Sequence, residues 1–451
     1  MATRPYDLVI WGGSGFTGRL AAEYLARKYT PGGASSPKAA DGGESVRWAI
    51  AGRDRRKLEE VRAEIERKHP HVAGKIDVLV GSVDDASSMR AVTSRASTVL
   101  SFAGPFARFG MPLVDACVET TTDYCDITGE PNFIRACVDK HDAAARREGI
   151  KLVNCVGYDS VPWDLGAWAV ARELRDKHGD GCVDAFGHAG AAKGGVSGGT
   201  IASALNVLTT TPWDVLKKMG SPFYVANGGG AGLSDETKAR WRTQKSYAYD
   251  EDVKSYTMPS IMASINTKVV ARSASLCAQL CAGDSNPYPP DFAYNESDLS
   301  GGYVAAMVGT AMMSAFGAAL MFPPSRWLLS KTVLPAPGQG PAETTRETGF
   351  ANIYVVGKGA KASTPKVCAH MEFKDADPGY KGTAALAVEA ALCLALPAER
   401  RKNGGAVTGG GVLTPASALG ATLVDRLNES ENFSFAVRPL EEVTLRGASK
   451  L

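Results

Sequence analysis

The chain has almost no excess charge of either sign, with 50 Lys and Arg against 48 Asp and Glu in 451 residues. A protein that grips a phosphate backbone carries a basic excess or a clustered basic face, so no nucleic-acid partner is expected. Cysteines are few and unpatterned: nine, at positions 117, 125, 137, 155, 182, 277, 281, 368 and 393, with no C-x-x-C pair. Cys277 and Cys281 could lie one helical turn apart, but no His or second Cys pair nearby completes a metal site. Reduced, buried thiols and no metal are the expectation. The first residues, Met1 to Asp7, lack an apolar signal core, so the chain is expected to begin in the cytosol and not to be secreted. Length implies two or three domains, and 44% hydrophobic residues fit a soluble globular protein.

What is present is strongly patterned near the start. Tyr6 to Trp11 is a short apolar run with one Asp, the pattern of a buried parallel strand. Thr17 to Tyr29 follows as a helix, with Leu20, Ala21, Tyr24 and Leu25 on one face and Arg19, Glu23 and Arg27 on another. Pro31 to Ser45 is rich in Pro, Gly, Ala and Ser and reads as a surface insertion. Further strands are expected at Trp48–Ala51, Ile76–Val80, Thr98–Phe102, Tyr124–Asp126 and Leu152–Cys155. Helices are expected at 55–68, 84–93 and 133–147. Alternation of this kind builds a doubly wound parallel sheet of the Rossmann type. The expected division is α/β: a cofactor-binding domain over 1–175, then a second α+β domain over 176–380 for substrate and dimer contacts. An Ala/Leu-rich helix near 383–396, with the single charge Glu389, rejoins the first domain. Residues 397–451 form a C-terminal segment.

Between the first strand and helix lies Gly12-Gly13-Ser14-Gly15-Phe16-Thr17-Gly18. Gly13 permits the tight turn, Gly15 lets the backbone approach a pyrophosphate, and Gly18 lets helix and strand pack closely. The helix start presents amides to phosphate, and Ser14 and Thr17 can add hydroxyls. At the end of the second strand an NAD enzyme usually has an acidic residue, whereas this chain has Gly52-Arg53-Asp54. A guanidinium at Arg53 suits a 2′-phosphate, so NADP is the expected cofactor. Asp54 could instead cap the next helix, and Arg55, Arg56 and Lys57 read as a solvated face. Ala103, Gly104, Pro105 and Phe106 follow the fourth strand, where small residues leave room for ribose and nicotinamide. Two segments at strand ends could supply catalytic groups: Asp126-Ile127-Thr128-Gly129-Glu130 and Gly157-Tyr158-Asp159-Ser160. Tyr158 can donate a proton, Asp159 can orient it or a substrate group, and Ser160 reads as a helix cap.

Two features lie outside this pattern. Tyr303 to Phe322 is 20 residues without a charge, long enough to cross a hydrocarbon core but rich in small residues. The favoured expectation is a helix buried in the second domain. The alternative is a surface that touches lipid or lines a long substrate tunnel. The chain ends Ser449-Lys450-Leu451, a tripeptide read by the peroxisomal import receptor, so peroxisomal location is expected.

Taken in order, several segments resemble the saccharopine dehydrogenase-like oxidoreductases, which include trans-acting enoyl reductases. They are Asp7 to Gly18, Ala51-Gly52-Arg53, Ala103 to Phe106, Tyr124 to Glu130 and Gly157 to Pro162, then Ser197 to Thr200, Asp377-Pro378-Gly379-Tyr380 and Leu413-Thr414-Pro415-Ala416. The resemblance implies a Rossmann domain, an NADP-type cofactor and reduction of an enoyl-thioester or related lipid, with Tyr158 as proton donor. Two other readings stay open. One is a saccharopine- or opine-type dehydrogenase acting on a C–N bond, for which Lys193, Arg272 and Lys381 would bind carboxylates. The other is a non-catalytic lipid-associated protein that keeps the scaffold.

Overall fold

Leu8, Val9 and Ile10 are wholly buried in the first strand, as expected for a parallel sheet covered by helices on both faces. The computed structural model describes residues 4–30, 45–194, 198–241, 243–281, 285–332, 340–402 and 404–447. The Pro31–Ser45 insertion, except for its last residue, Ser197 and the terminal tripeptide lie outside the described residues.

The first sheet contains β1 (Tyr6–Trp11), β2 (Trp48–Gly52), β3 (Asp77–Val80), β4 (Ala96–Ser101), β5 (Asp123–Asp126) and β6 (Lys151–Val153). Its order is 3-2-1-4-5-6, with a late strand, β13 (Gly411–Leu413), beside β6. All its pairings are parallel. The order reverses between β1 and β4, which opens a crevice beyond their carboxyl ends. There the Phe102 amide donates to the Trp11 carbonyl at 2.9 Å, so the two loops leave side by side.

The second sheet is mixed. It contains β7 (Cys182–Lys193), β8 (Ala248–Asp250), β9 (Ser255–Pro259), β10 (Ala293–Leu299), β11 (Phe350–Gly359), β12 (Val367–Phe373) and β14 (Phe433–Pro439), in the order 14-12-11-7-10-9-8. The Val161–His178 helix packs on it. A Cβ on Gly166 would stand 2.4 Å from a Val355 methyl, and one on Gly357 2.7 Å from Val170 Cβ, so both contacts need glycine. The Val161–His178 helix thus links β6 of the first sheet to β7 of the second. Residues 397–451 are shared between the sheets, since β13 completes one and β14 edges the other.

The Thr383–Ala395 helix is buried at every residue and packs on the Phe16–Tyr29 helix and on β4 and β5. The Tyr303–Met321 helix corrects the favoured expectation of burial. Ala306 is its one buried residue, and Val304 and Met312 are 63% and 67% exposed. It leans on β9 through Gly309, where a Cβ would lie 2.4 Å from the Met258 sulfur. At its start Tyr303 meets the rings of Tyr247 and Tyr256 at 5.4 and 5.5 Å.

Candidate active site

The glycine turn is built by close backbone approach. The Gly12 and Gly13 amides both donate to the Ala51 carbonyl, at 2.9 and 3.1 Å, and Gly15 donates to Gly12 at 2.9 Å. Gly12 sits at φ +80°, a left-handed conformation that favours glycine. A Cβ on Gly18 would lie 2.3 Å from the Gly12 carbonyl oxygen, and one on Gly13 2.9 Å from Ile50 Cβ. No side chain caps the helix that begins at Phe16, so its first-turn amides have no side-chain acceptor at Gly15.

A cavity of about 1970 Å³ opens over this turn. Gly12, Ser14, Gly15, Phe16 and Thr17 line it, while Gly13 and Gly18 serve the packing beneath. Arg53 reaches its wall from the end of β2. Its neighbours do other work: Asp54 caps the Arg55–Lys68 helix through the Lys57 amide, and Arg55 and Arg56 pair with Glu59 and Glu60. Ala103, Gly104, Pro105 and Phe106 line the cavity beside the turn.

Glu130 holds that second loop in place. Its carboxylate accepts from the Phe106 amide at 2.7 Å, the Ala107 amide at 2.8 Å and the Ser203 hydroxyl at 2.7 Å. It is thus a positioning residue that ties the loop to a helix of the second domain. Asp126 has a similar task. It accepts from the Thr128 amide, Asn154 and the Cys155 amide, at 3.0, 2.7 and 3.2 Å, and burial pushes it up to about 6.

Tyr158 and Asp159 lie on the cavity wall beyond β6. The Tyr158 amide donates to Thr383 Oγ1 at 3.2 Å, and its ring packs edge-on against Trp163 and Phe373. Burial, then the charges of Asp159, Asp298 and Glu296, raise its hydroxyl well above the usual phenol range. Burial pushes Asp159 up to about 6. Ser160 takes the N-cap position, but its side chain accepts no first-turn amide. The Asp377-Pro378-Gly379-Tyr380 segment closes one side: Asp377 caps a turn through the Tyr380 and Lys381 amides, and Tyr380 meets the Phe16 ring edge-on at 4.9 Å.

Lys268 had no part in the sequence reading. It lines the cavity from the Ala263–Leu280 helix, 5% exposed, with Nζ donating to the Ser264 carbonyl at 2.6 Å. Burial pulls its amine down to about 8. A lysine between Ile265 and the buried pair Val269 and Val270 was the available signal. The three cations proposed for a carboxylate-binding site do not converge here. Arg272 is buried against the carbonyls of Val225 and Val412, Lys193 meets Thr348, and Lys381 pairs with Glu347. Elsewhere the wall is mainly apolar, with Leu216, Met219, Phe223, Ile261, Phe316 and Leu320, and it carries Lys238 and Lys245 at exposed positions.

The chain matches no protein-family model. A protein of Mycobacterium tuberculosis (strain ATCC 25618 / H37Rv), provisionally named as a trans-acting enoyl reductase, is 33% identical over 434 residues, covering 94% of this chain and 96% of its own. The trans-acting enoyl reductase of Mycobacterium leprae (strain TN) is 29% identical over 437 residues, with the same coverage of 94% and 96%. Among solved structures, the saccharopine dehydrogenase (L-Glu forming) from Saccharomyces cerevisiae aligns over 96% of this chain and 99% of its own, at 11% identity and a TM-score of 0.47. The molecule is a two-domain α/β oxidoreductase with one large cavity against its switch point. By its likeness along nearly the whole sequence, the chain belongs to the trans-acting enoyl reductase family.

Proposed function

We propose that this protein is an NADP-dependent reductase of an enoyl-thioester or related acyl-lipid, acting in the peroxisome. The observation that carries the reading is continuity. One cavity runs from the glycine turn and Arg53, past Tyr158 and Asp159, into an apolar chamber.

The cradle fits a dinucleotide. Side chains are excluded where Gly12 and Gly18 meet, and the helix start beyond them carries no side-chain cap. Ser14, Gly15 and Thr17 would hold the pyrophosphate, Arg53 the 2′-phosphate, and Ala103 to Phe106 the nicotinamide side. A reduced nicotinamide held there would supply hydride to the β-carbon of an unsaturated thioester. The chain's own residues manage the charge and the proton that follow. Charge gathers on the thioester oxygen, and Tyr158, held protonated, offers its hydroxyl to it as a hydrogen-bond donor. The Lys268 ammonium adds positive charge to the same chamber. Asp159, pushed by burial up to about 6, is a second acid on the same wall that can pass a proton to the α-carbon, directly or through Tyr158. The apolar chamber would take the acyl chain and keep water away.

Fluorescence titration of the full chain with NADPH and NADH tests the cofactor reading. The expected result is saturable NADPH binding, preferred over NADH by about a hundredfold, and loss of that preference in Arg53→Ala. Equal affinity for both coenzymes in the unaltered protein overturns the assignment of Arg53, and binding of neither overturns the redox reading. For location, a fluorescent fusion with a free Ser449-Lys450-Leu451 should collect in peroxisomes and turn cytosolic when the tripeptide is removed.

A further inference from the structure

We infer that the Tyr303–Met321 helix is a lipid-docking surface, and that it opens the cavity to acyl chains held in a bilayer. The docking rests on the helix alone. The route into the cavity rests also on the acyl-lipid reading above.

The helix carries no charge, and neither does Phe322 after it. Val304, Met307, Val308, Met312, Met321 and Phe322 all stand exposed. Ser314 does not spoil the surface, because its hydroxyl turns back to the Thr310 carbonyl at 2.9 Å. A helix apolar on all sides belongs in a protein core or in lipid, and this one is not in the core. A second copy of the chain would cover one stripe and leave the flanking exposed residues on either side of it in water. With one side resting on Met258 and the cavity, the exposed remainder of the circumference can sink into the acyl region of a bilayer. At about 1.5 Å per residue the helix presents an apolar rod about 28 Å long, a contiguous exposed apolar surface of the kind that marks an interaction site.

Its position gives the surface a purpose. Phe316 and Leu320 face the cavity, so the outward apolar surface and the inner apolar wall meet on one helix. Ile261 lines the same cavity and is 60% exposed. Trp213, 61% exposed, begins the short helix whose Leu216 and Met219 line it too. Exposed Lys238 and Lys245 also line the cavity, and exposed Lys217 and Lys218 share the helix of Trp213. Apolar side chains beside lysines suit an interface of acyl chains beneath anionic headgroups.

The test is flotation of the full chain with vesicles of phosphatidylcholine, alone or mixed with phosphatidylserine. The protein should float with both, and better with phosphatidylserine at low salt. The double variant Val304→Glu, Met312→Glu should lose about tenfold or more of the vesicle-bound fraction. Both positions are exposed, so its melting temperature and NADPH titration should match the unaltered protein, which separates failure of docking from failure of the redox reading. Absence of flotation, or equal flotation of the double variant, overturns the inference. So does light scattering that shows a lipid-free dimer which the two substitutions dissolve.

Discussion

Two helices in this molecule are nearly alike in composition and opposite in fate. Thr383–Ala395 and Tyr303–Met321 are both rich in Ala and Met or Leu, yet every residue of the first is buried and almost none of the second. The charged residue sits in the buried one. Glu389 accepts from Tyr24 and Tyr29 hydroxyls at 2.5 and 2.6 Å and from Lys28 at 2.9 Å, and pairs with Arg426 at 2.7 Å. A carboxylate with this many partners fixes how the helix sits against the Phe16–Tyr29 helix. The exposed helix has no such group, and among the described residues it is covered along one side only, where it rests on β9. A buried polar group identifies a core helix better than apolar content does.

The contrast breaks first at Glu389. Burial alone would raise its pKa, but Arg426 and Lys28, with the two tyrosines, hold it down to about 2. A depressed carboxylate stabilises the fold above its ordinary value and loses that contribution as pH falls through the folded value. Denaturant unfolding should therefore show stability falling from about pH 4.5 toward about pH 2, in line with carboxylate linkage. Glu389→Gln should cost about 3–5 kcal/mol at neutral pH, because the buried Arg426 and the half-buried Lys28 lose the carboxylate they share. A cost under about 1 kcal/mol would mean that the cluster is not what seats the helix.

Truncation inside each helix gives the next largest effect. Leu386 is fully buried, so Leu386→Ala should cost about 2–4 kcal/mol. Val308→Ala removes an exposed side chain and should stay within about 0.5 kcal/mol. Comparable losses at the two positions in lipid-free protein would mean that the Tyr303–Met321 helix is covered in solution.

How far each feature could be read from sequence follows from how local its cause is. The glycine turn was legible because Gly12 to Gly18 fold against one another and against Ile50, only one strand away. The division of labour after β2 was legible too, since Asp54 capping and the Arg55–Glu59 spacing are set within a single helix. Glu130 was seen as a candidate for chemistry, but its partners, Phe106 and Ser203, lie 24 and 73 residues away. Lys268 showed no motif, and its burial depends on the whole cavity wall. Exposure of the Tyr303–Met321 helix is a property of what fails to pack on it, which no local pattern records. The same holds for β13 and β14, whose short runs join different sheets through distant partners.

Lys268 sharpens the comparison from a third helix, where a charge is buried and, among the described residues, pairs with no carboxylate. Its amine is pulled by burial from an ordinary 10.5 down to about 8. The folded state then holds the proton less tightly than the unfolded state, so stability should rise as pH climbs from about 8 to about 10.5. Lys268→Met should stabilise the protein by about 1–2 kcal/mol at neutral pH, with the gain vanishing above about pH 10.5. The same variant should turn over acyl substrate more slowly if the ammonium serves the reacting thioester. A gain in stability with a loss of turnover would show a destabilising charge kept for its place in the cavity. A loss of stability would show instead that the Ser264 carbonyl satisfies the amine and that its charge belongs to the structure of the wall.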